Sequence, residues 1–324
     1  MKKAAIIIVN WNGKRFLKNC LNSVFNQTYK DFDVYFVDNG SVDGSSNYVK
    51  KNFPKVKIIK LDKNYGFAKG NNEGIKEAFK DKKVEYIVCL NNDTIVDKNW
   101  LKELVRTAEK SEKIGAVSSK AYFKDGKNIQ NAGLIFSKAL QINKLGGISL
   151  GYGKTDDEIP KLSHDCEIFC PGGVAPLYKR EVLEYLYKRD REIFDEDFFA
   201  YVEDLDLGIR IKNLGYTSYL SSKARLIHLH SQTGGVASPF KAYYGERNKI
   251  LTAIKNLPFF DLILFPFRNI RLKFSYFFKK HESVEKLNEN IGFIKMFWIV
   301  VKANLSALGL MPKILIKRIK IKKY

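Results

Sequence analysis

Cysteine and histidine are both scarce in this sequence, with four of each among 324 residues. Only Cys166 and Cys170 lie close together, and no second cysteine pair completes a structural zinc site. We therefore interpret the four cysteines as free thiols in a reducing compartment. Acidic residues are also few, since 35 Asp and Glu stand against 56 Lys and Arg, which gives a net charge of +21. That excess predicts a polyanionic partner: a nucleic acid, an anionic membrane surface or a phosphorylated substrate.

The apolar run at the start of this sequence is also short. The first apolar run, Ala4–Val9, has six residues, fewer than the roughly 7–15 of a signal-peptide core. It runs into Asn10-Trp11-Asn12-Gly13 with no small-residue cleavage site, so we interpret it as a buried first strand and expect a cytosolic protein. Hydrophobic residues make up 45% of the chain, which is enough for a sizeable core and excludes general disorder.

Apolar strands and amphipathic helices alternate along the first part of the chain. The predicted strands are Ala4–Val9, Val34–Val37, Val56–Leu61, Val84–Leu90 and Ile114–Ser118, and the predicted helices cover residues 14–26, 68–80 and 98–110. Further along, the pattern predicts a helix over 203–213 and strands at Tyr216–Leu220 and Ala224–Leu229. Repeated strand–helix units indicate an α/β fold with a mostly parallel, doubly wound sheet that binds ligands beyond the carboxyl ends of its strands.

Polar residues cluster where the predicted strands end. Asp38 closes the second strand, where its carboxylate can accept hydrogen bonds from a nucleobase or a ribose, or can simply order an Asp- and Gly-rich turn. Asn91-Asn92-Asp93 closes the fourth strand. A carboxylate there can hold a divalent cation that also binds a diphosphate, or can form an Asx turn before the next element.

Acidic side chains and histidine provide the remaining candidates. Asp195-Glu196-Asp197 precedes Glu203, Asp204 and Asp206 in an otherwise basic chain. Clustered carboxylates raise one another's pKa values, which suits a general base, although some of them can also cap a helix. His228 follows an apolar strand and is favoured over His230 as a metal ligand, with an ordinary buried histidine as the alternative.

The order of these signals resembles family 2 of the glycosyltransferases, and is closest to its bacterial rhamnosyltransferase-like members. The matching stretches are Ile7-Ile8-Val9-Asn10-Trp11-Asn12-Gly13, Val37-Asp38-Asn39-Gly40-Ser41-x-Asp43-Gly44-Ser45, Asn64-x-Gly66-Phe67-Ala68-x-Gly70-Asn71-Asn72-x-Gly74, Leu90-Asn91-Asn92-Asp93-Thr94, Pro171-Gly172-Gly173, Phe199-x-Tyr201-x-Glu203-Asp204-x-Asp206-Leu207, His228 and Tyr243-Tyr244-x-x-Arg247-Asn248. The resemblance covers about residues 4–250 and implies the GT-A nucleotide-sugar-binding fold.

The resemblance also implies roles for particular residues. Asp38 would recognise the nucleotide base, and Asp204 would be the catalytic base with Glu203 beside it. Asp93 and His228 would hold a divalent cation, Mg²⁺ or Mn²⁺. Residues implied to bind the nucleotide sugar besides Asp38 are Asn10, Asn12, Asn64, Gly66, Phe67, Asn91, Asn92, Gly172, Gly173 and Arg247. Asn91 departs from the family, in which many members have Asp there, and brings no charge to the cation.

The activity implied is that of an inverting glycosyltransferase that uses a nucleotide-diphosphate sugar and a lipid-linked or polysaccharide acceptor in cell-surface glycan synthesis. dTDP-rhamnose is the first donor considered, and UDP-galactofuranose or a UDP-N-acetylhexosamine is the alternative. A basic nucleic-acid-binding protein is the rival from another class. We do not expect a nucleic-acid partner, because nearly half of the net charge lies in an apolar tail and no nucleic-acid module is present. The sequence leaves an oligomer open.

The tail changes in character near residue 250, which predicts a catalytic domain over 1–250 and a basic, amphipathic helical segment over 251–324. Residues 257–324 carry 14 basic and four acidic residues, with apolar stretches at Leu257–Phe267 and Ile291–Met311. Lys295 and Lys302 share a helical face, and Pro312 is expected to end the helix.

We interpret this segment as a peripheral anchor at the cytoplasmic face of the cell membrane, drawn to anionic lipid. A spanning helix and a helix packed on protein are the alternatives. Asn304 lies on the apolar side of the predicted helix and blurs the amphipathic pattern.

Overall fold

The computed structural model describes residues 3–135, 148–229, 238–258, 262 and 292–322. The chain forms two compact units, of which the first comprises the residues up to Ile135, Ser149–Phe199 and Glu203–Leu229. The second comprises Ala200–Val202 and the described residues after 237. The domain boundary near residue 250 stays a prediction. Most of Leu257–Phe267 lies outside the described residues.

The first unit is built on one large mixed sheet. Its strands are β1 Lys3–Asn10, β2 Phe32–Asn39, β3 Lys57–Leu61, β4 Val84–Asn91, β5 Thr94–Val96, β6 Ile114–Tyr122, β7 Ile129–Asn131, β10 Cys166–Ile168, β11 Leu177–Lys179 and β12 Thr217–His228. The strand order is β10-β12-β6-β11-β4-β1-β2-β3, with β5 paired to β12 and β7 paired to β6. Strands β4, β1, β2 and β3 are parallel, as are β6 and β12, whereas β11 runs antiparallel between β4 and β6. Two short strands, β8 Leu134–Ile135 and β9 Ile148–Ser149, pair apart from this sheet. The predicted α/β class with a mostly parallel sheet is confirmed.

Helices cover both faces of this sheet. They are α1 Lys14–Phe25, α2 Ser45–Asn52, α3 Gly66–Ala78, α4 Trp100–Ala108, α5 Arg180–Asp190 and α6 Glu203–Asn213. Side chains of β1 alternate between two cores, because Ile6 and Ile8 pack with α1 and α4 while Ile7 packs with α3, α5 and α6. This double burial explains why β1 reads as a continuous apolar run.

The second unit contains two long helices, α7 Pro239–Asn256 and α8 Phe293–Lys322. Ala303, Ala307 and Ile314 of α8 are buried, and Arg318 donates a hydrogen bond to the Ile254 carbonyl of α7 at 2.7 Å. In the described part of the chain, Ile294–Ile321 is the one stretch long and apolar enough to cross a membrane by length and composition.

Two sequence predictions about elements are wrong. Pro312 does not end the tail helix, because α8 runs through it to Lys322. The packing of Ala307 before the proline and of Ile314 and Arg318 after it holds the helix where the backbone hydrogen bond is missing. The two strands predicted between residues 216 and 229 form the single strand β12, with a register shift between Leu220 and Arg225.

Helix α3 approaches the sheet so closely that only glycine fits at position 74. A Cβ atom there would lie 2.3 Å from Ile7 Cγ2 and 3.0 Å from Val37 Cγ2. We expect Gly74→Ala to lower the free energy of unfolding by about 1–3 kcal/mol, since overpacking displaces well-packed side chains. Gly245→Ala in α7 is the matched control, because nothing lies within 4 Å of its added Cβ, and it should stabilise the protein by up to about 1 kcal/mol. Urea unfolding measures both, and equal shifts would contradict the close approach.

Candidate active site

The carboxyl ends of β1, β2 and β4 meet at one edge of the sheet. The register places Asn10 opposite Asp38 on one side and Val9 opposite Asn91 on the other. Asn92 Nδ2 donates to Asn10 Oδ1 at 2.6 Å, and an added Cβ at Gly13 would lie 2.3 Å from Asn92 Nδ2. Three predicted donor-binding segments are therefore brought together, and Gly13 has to be glycine for the loop to close on Asn92.

The Asp38 carboxylate organises the turn that follows β2. It is almost fully buried, its Oδ1 accepts from the Ser41 amide at 2.9 Å, and its Oδ2 accepts from the Ser46 hydroxyl. Ser41 in turn joins this turn to the first loop, because its hydroxyl oxygen accepts from Asn10 Nδ2 at 3.1 Å and from the Asn12 amide at 3.0 Å. The structure thus shows that the Asp38 carboxylate orders this turn. Base recognition by Asp38 stays a prediction.

The loop before α3 is held by paired asparagines. Asn39 Nδ2 donates to Asn64 Oδ1 at 3.1 Å, and Asn64 Oδ1 also accepts from the Gly66 amide at 2.9 Å. Gly66 has a φ of +87°, and an added Cβ would lie 2.5 Å from the Phe199 carbonyl oxygen. Phe67 is half-buried and meets Phe194 edge to face at 6.3 Å. These residues shape the predicted donor pocket without any charge of their own.

Pairing of β5 with β12 brings His228 to Asp93. His228 lies opposite Thr94 in the antiparallel register, and the Leu229 amide donates to the Asp93 carbonyl at 2.9 Å. The side chains then meet, with His228 Nε2 at 3.1 Å from Asp93 Oδ1 and at 3.5 Å from Asn91 Nδ2. Both Asp93 and His228 are buried. The predicted ligand pair therefore exists as a contact between residues 135 positions apart in the chain.

This pair fits a divalent cation. Adjacent positions around an octahedral Mg²⁺ or Mn²⁺ lie about 3 Å apart when each ligand is near 2.1 Å from the metal, and the Asp93 Oδ1–His228 Nε2 distance of 3.1 Å matches that spacing. Within the described residues, no group of three or more His, Cys, Asp or Glu side chains is arranged to hold a metal. Asp93 and His228 would therefore fill only part of the coordination shell of such a cation.

Glu203 and Asp204 begin helix α6 and have different surroundings. Asp204 is half-buried, and its Oδ2 accepts from the Gly173 amide at 2.8 Å while its Oδ1 accepts from the Leu205 amide at 2.8 Å. Burial raises the pKa of the Asp204 carboxyl, and these two hydrogen bonds oppose the rise. Glu203 is buried, and its Oε2 has no hydrogen-bond partner among the described residues. Burial and the charge of Asp204 raise the pKa of Glu203.

The Gly172-Gly173 turn lies between Asp204 and the end of β4. An added Cβ at Gly172 would meet the Asn131 side chain at 2.4 Å. The Gly173 amide binds Asp204, and the next carbonyl, that of Val174, accepts from the Asn91 amide at 3.0 Å. Consecutive residues of one turn thus connect the candidate base with the end of β4, which directly precedes the candidate metal ligand Asp93.

Other members of the acidic cluster are structural. Asp206 is fully buried and binds Arg210 Nε at 2.9 Å, and Arg210 also contacts Asp190 at 3.1 Å. Asp195 caps the short turn Glu196–Phe198 by accepting from the Asp197 amide. Asp206 is thus neutralised and Asp195 is a cap, and Glu203 and Asp204 are the adjacent pair suited to acid–base chemistry.

Arg247 lies in the second unit. Its guanidinium stands 4.7 Å above the Tyr244 ring, and its Nε donates to Asn248 Oδ1 at 2.9 Å. Its predicted role in donor binding is not tested by these contacts and stays a prediction.

Four polar residues at the site escaped sequence reasoning: Asn39, Ser41, Gln130 and Asn131. Asn39 and Ser41 lie inside a stretch that matches the family. Their position at the carboxyl end of β2 could have marked them as residues of the site. Gln130 contacts His228 through its side-chain amide, but β7 has only three residues and carries no periodic pattern that marks it.

Comparison with known proteins assigns the family. Residues 5–186 match the family model described as glycosyl transferase family 2, which covers more than half of the chain. The chain belongs to this family, as the sequence motifs predicted.

Individual relatives agree with the assignment. The chain is 29% identical over 239 residues to the O-antigen biosynthesis protein RfbC of Myxococcus xanthus, in an alignment that covers 71% of this chain and 17% of that protein. The chain therefore spans only a small part of that relative's length.

Solved structures share the fold. Staphylococcus aureus TarS 1-349 in complex with UDP-GlcNAc has a TM-score of 0.54 at 18% identity, covering 99% of this chain and 89% of TarS 1-349. The mannosyltransferase PcManGT of Pyrobaculum calidifontis, in complex with GDP-Man and Mn²⁺, has a TM-score of 0.54 at 15% identity, covering 95% and 86%. The fold is the GT-A fold of glycosyltransferases.

Burial of Glu203 generates a prediction about pH. A carboxyl whose pKa is raised on folding contributes stability that is fully present below the unfolded value of about 4.3 and is lost as the pH rises through the folded value. Glu203→Gln removes this titration. We expect the free energy of unfolding of the variant, relative to wild type, to increase between about pH 5 and pH 8, as measured by urea unfolding. Glu112→Gln, at an exposed position, should show no such trend. A pH-independent difference for Glu203→Gln would contradict the raised pKa.

Proposed function

We propose that this protein is an inverting glycosyltransferase that moves a sugar from a nucleotide-diphosphate donor to an acceptor hydroxyl in cell-surface glycan synthesis. Family membership and the GT-A fold support a transferase. The observation that carries the proposal is the position of Asp204, a half-buried carboxylate oriented by the Gly173 and Leu205 amides and connected through Val174 to the strand end beside Asp93.

The placement of these groups supports the proposed reaction. Asp204 accepts the proton of the acceptor hydroxyl as that oxygen attacks the anomeric carbon, and its raised pKa strengthens it as a base. The attack comes from the face opposite the nucleotide diphosphate, so one displacement inverts the anomeric centre and needs no protein nucleophile. Asp93 and His228 would hold a divalent cation, which when bound would supply positive charge that stabilises the departing diphosphate.

The donor loops and the basic surface suit a nucleotide diphosphate. An open cleft beside Asn12 is lined by Lys14, Arg15, Lys18, Asp43 and Tyr48. Cationic side chains at the edge of the nucleotide loops favour a phosphorylated donor. dTDP-rhamnose remains the first donor considered, with UDP-galactofuranose and UDP-N-acetylhexosamines as alternatives. Thermal stabilisation by a panel of nucleotide sugars with Mn²⁺ or Mg²⁺ would identify the donor, because binding to the folded state alone raises the melting temperature.

A substitution at the proposed base tests the mechanism. We expect Asp204→Asn to lower kcat by about 10²–10⁴-fold, the usual effect of removing a general base, while the donor identified by the panel still raises the melting temperature. Glu112→Gln is the control, because it removes an exposed carboxylate before the start of β6, at the end of the β6–β12 pair opposite to His228. Wild-type turnover in Asp204→Asn would exclude this residue as the base and would make Glu203 the first candidate.

The exposed side of α8 supports attachment to a membrane. Large apolar side chains are solvent-exposed along its length: Ile294, Phe297, Trp298, Leu305, Leu308, Met311, Leu315, Ile316 and Ile319. At about 100° per residue most of them lie opposite the buried Ala303, Ala307 and Ile314, whereas Phe297 and Leu315 lie at the side and Met311 lies next to the buried face. The helix therefore has one face on α7 and a second apolar face in contact with water, a pattern that marks an interaction surface.

A row of lysines borders this apolar face. Lys295, Lys302, Lys313, Lys317 and Lys320 fall within about 60° of one another around α8. An interfacial helix places such a row among lipid phosphates, whereas a spanning helix would carry some of these charges into hydrocarbon. The side-chain amide of Asn304 has a hydrogen-bond partner within the helix, because its Nδ2 donates to the Val300 carbonyl at 2.6 Å. We place the protein peripherally on the cytoplasmic leaflet, where a lipid-linked acceptor would be within reach.

Liposome flotation tests this placement. Wild type should float with vesicles that contain anionic lipid and should be released at high salt, because screening weakens attraction between lysines and headgroups. Trp298→Asp combined with Leu305→Asp should abolish flotation, since both side chains are more than half exposed and charge on them opposes insertion. Tyr185→Asp, at an exposed aromatic residue of α5, is the control and should float like wild type. Equal flotation of all three proteins, or flotation of none of them, would contradict the proposed membrane anchor.

A further inference from the structure

A buried asparagine of α7 binds the chain just ahead of the candidate base. Asn248 is fully buried, and its Nδ2 donates to the Ala200 carbonyl at 2.8 Å and to the Tyr201 carbonyl at 2.7 Å. Its Oδ1 accepts from Arg247 Nε at 2.9 Å. Backbone carbonyls only accept hydrogen bonds and a guanidinium only donates them, so these partners fix which end of the amide faces the two carbonyls.

The segment that Asn248 binds has an unfavourable backbone. Phe199 has a φ of +61° and a ψ of −63°, close to the rare and strained form of the γ-turn. Tyr201 and Val202 have φ values of +70° and +71°, in the left-handed region that favours glycine. Three such residues within four positions do not keep this conformation by local preference, so contacts with other parts of the chain have to hold it.

Contacts at two points hold this segment. At its start, the Phe199 carbonyl accepts from the Ala68 amide of α3 at 3.2 Å. In its centre, Asn248 binds two successive carbonyls. The segment ends at Val202, and helix α6 begins at the next residue with Glu203 and Asp204. Because the chain is continuous, the way in which this segment is held sets the direction in which α6 begins.

We propose that Asn248 is a positioning residue for the candidate base: it holds the strained entry to α6 in the conformation that places Asp204 against the Gly173 amide. The role of Asp204 as the base rests on the proposed function. The inference also makes a separate statement about the protein without substrate, namely that the Gly173–Asp204 hydrogen bond of 2.8 Å depends on Asn248. An asparagine that only stabilised α7 would leave that hydrogen bond unchanged.

Amide hydrogen exchange of the substrate-free protein, labelled with ¹⁵N-glycine and followed by NMR, tests this dependence. The Gly173 signal is identified by its loss in Gly173→Ala. Asn248→Asp keeps the shape of the side chain and the acceptor for Arg247, but it has no donor for the two carbonyls. We expect it to accelerate exchange of the Gly173 amide by about 10-fold or more, the effect of losing a hydrogen bond to a charged group.

Ile254→Ala is the matched control for this experiment. Ile254 is buried in the same helix, where its carbonyl accepts from Arg318 of α8, so the variant weakens α7 and keeps the Asn248 amide. Its Gly173 exchange should equal that of the wild type. Asn248→Ala removes the same donors without placing a carboxylate against the carbonyls, and it decides the question if Asn248→Asp does not fold. Wild-type exchange in the Asn248 variant, or equal acceleration in Ile254→Ala, would overturn the proposal.

Steady-state kinetics with the donor that the nucleotide-sugar panel identifies supply the second readout. We expect Asn248→Asp to lower kcat by about 10²-fold, the effect of displacing a catalytic group by about 1 Å, with the donor KM unchanged. Ile254→Ala should retain the wild-type kcat. A raised donor KM with an unchanged kcat would overturn the positioning role. If the wild type transfers no sugar from any donor of the panel, the proposed function fails, and Gly173 exchange still decides whether Asn248 positions Asp204.

Discussion

Two hydrogen bonds made by consecutive residues hold the candidate chemistry together. The Gly173 amide binds Asp204 Oδ2, and the Val174 carbonyl accepts from the Asn91 amide. Since main-chain groups have no rotamers, they fix these distances more firmly than side chains would. A side chain at Gly173 would crowd this contact, because an added Cβ would lie 3.3 Å from the same carboxylate oxygen. The separation of base and strand end is thus set by one short turn.

Positive charge separates the structural acids from the candidate catalytic ones. Asp206 and Asp190 lie against Arg210, so their negative charges are compensated inside the protein. Glu203 is equally buried, yet burial and the neighbouring Asp204 raise its pKa and its Oε2 has no hydrogen-bond partner among the described residues. A buried carboxyl beside a half-buried one is a costly arrangement, and such arrangements concentrate at functional sites.

Sequence patterns predicted the repeated strand–helix units of the fold. Strands such as β1 and β4 are buried on both faces and therefore appear as apolar runs, and the polar residues that end them, among them Asn91 and Asp93, meet at one edge because the strands are parallel. Gln130 was not predictable in this way. Its strand is three residues long, and its importance comes from a contact with His228, 98 positions away. Pro312 was misjudged for a related reason, since packing on α7 overrides the local preference of proline.

Backbone strain is concentrated where the chain enters α6. Phe199, Tyr201 and Val202 all have positive φ values, between +61° and +71°, and a β-branched residue such as Val202 rarely adopts them. Such conformations cost of order 1–3 kcal/mol each and persist only where the surroundings hold them. Asn248 stabilises this segment, because its Nδ2 donates to the carbonyls of Ala200 and Tyr201 at 2.8 and 2.7 Å. Strain of this size directly before Glu203 and Asp204 is consistent with a backbone selected for the placement of these two carboxyls rather than for stability.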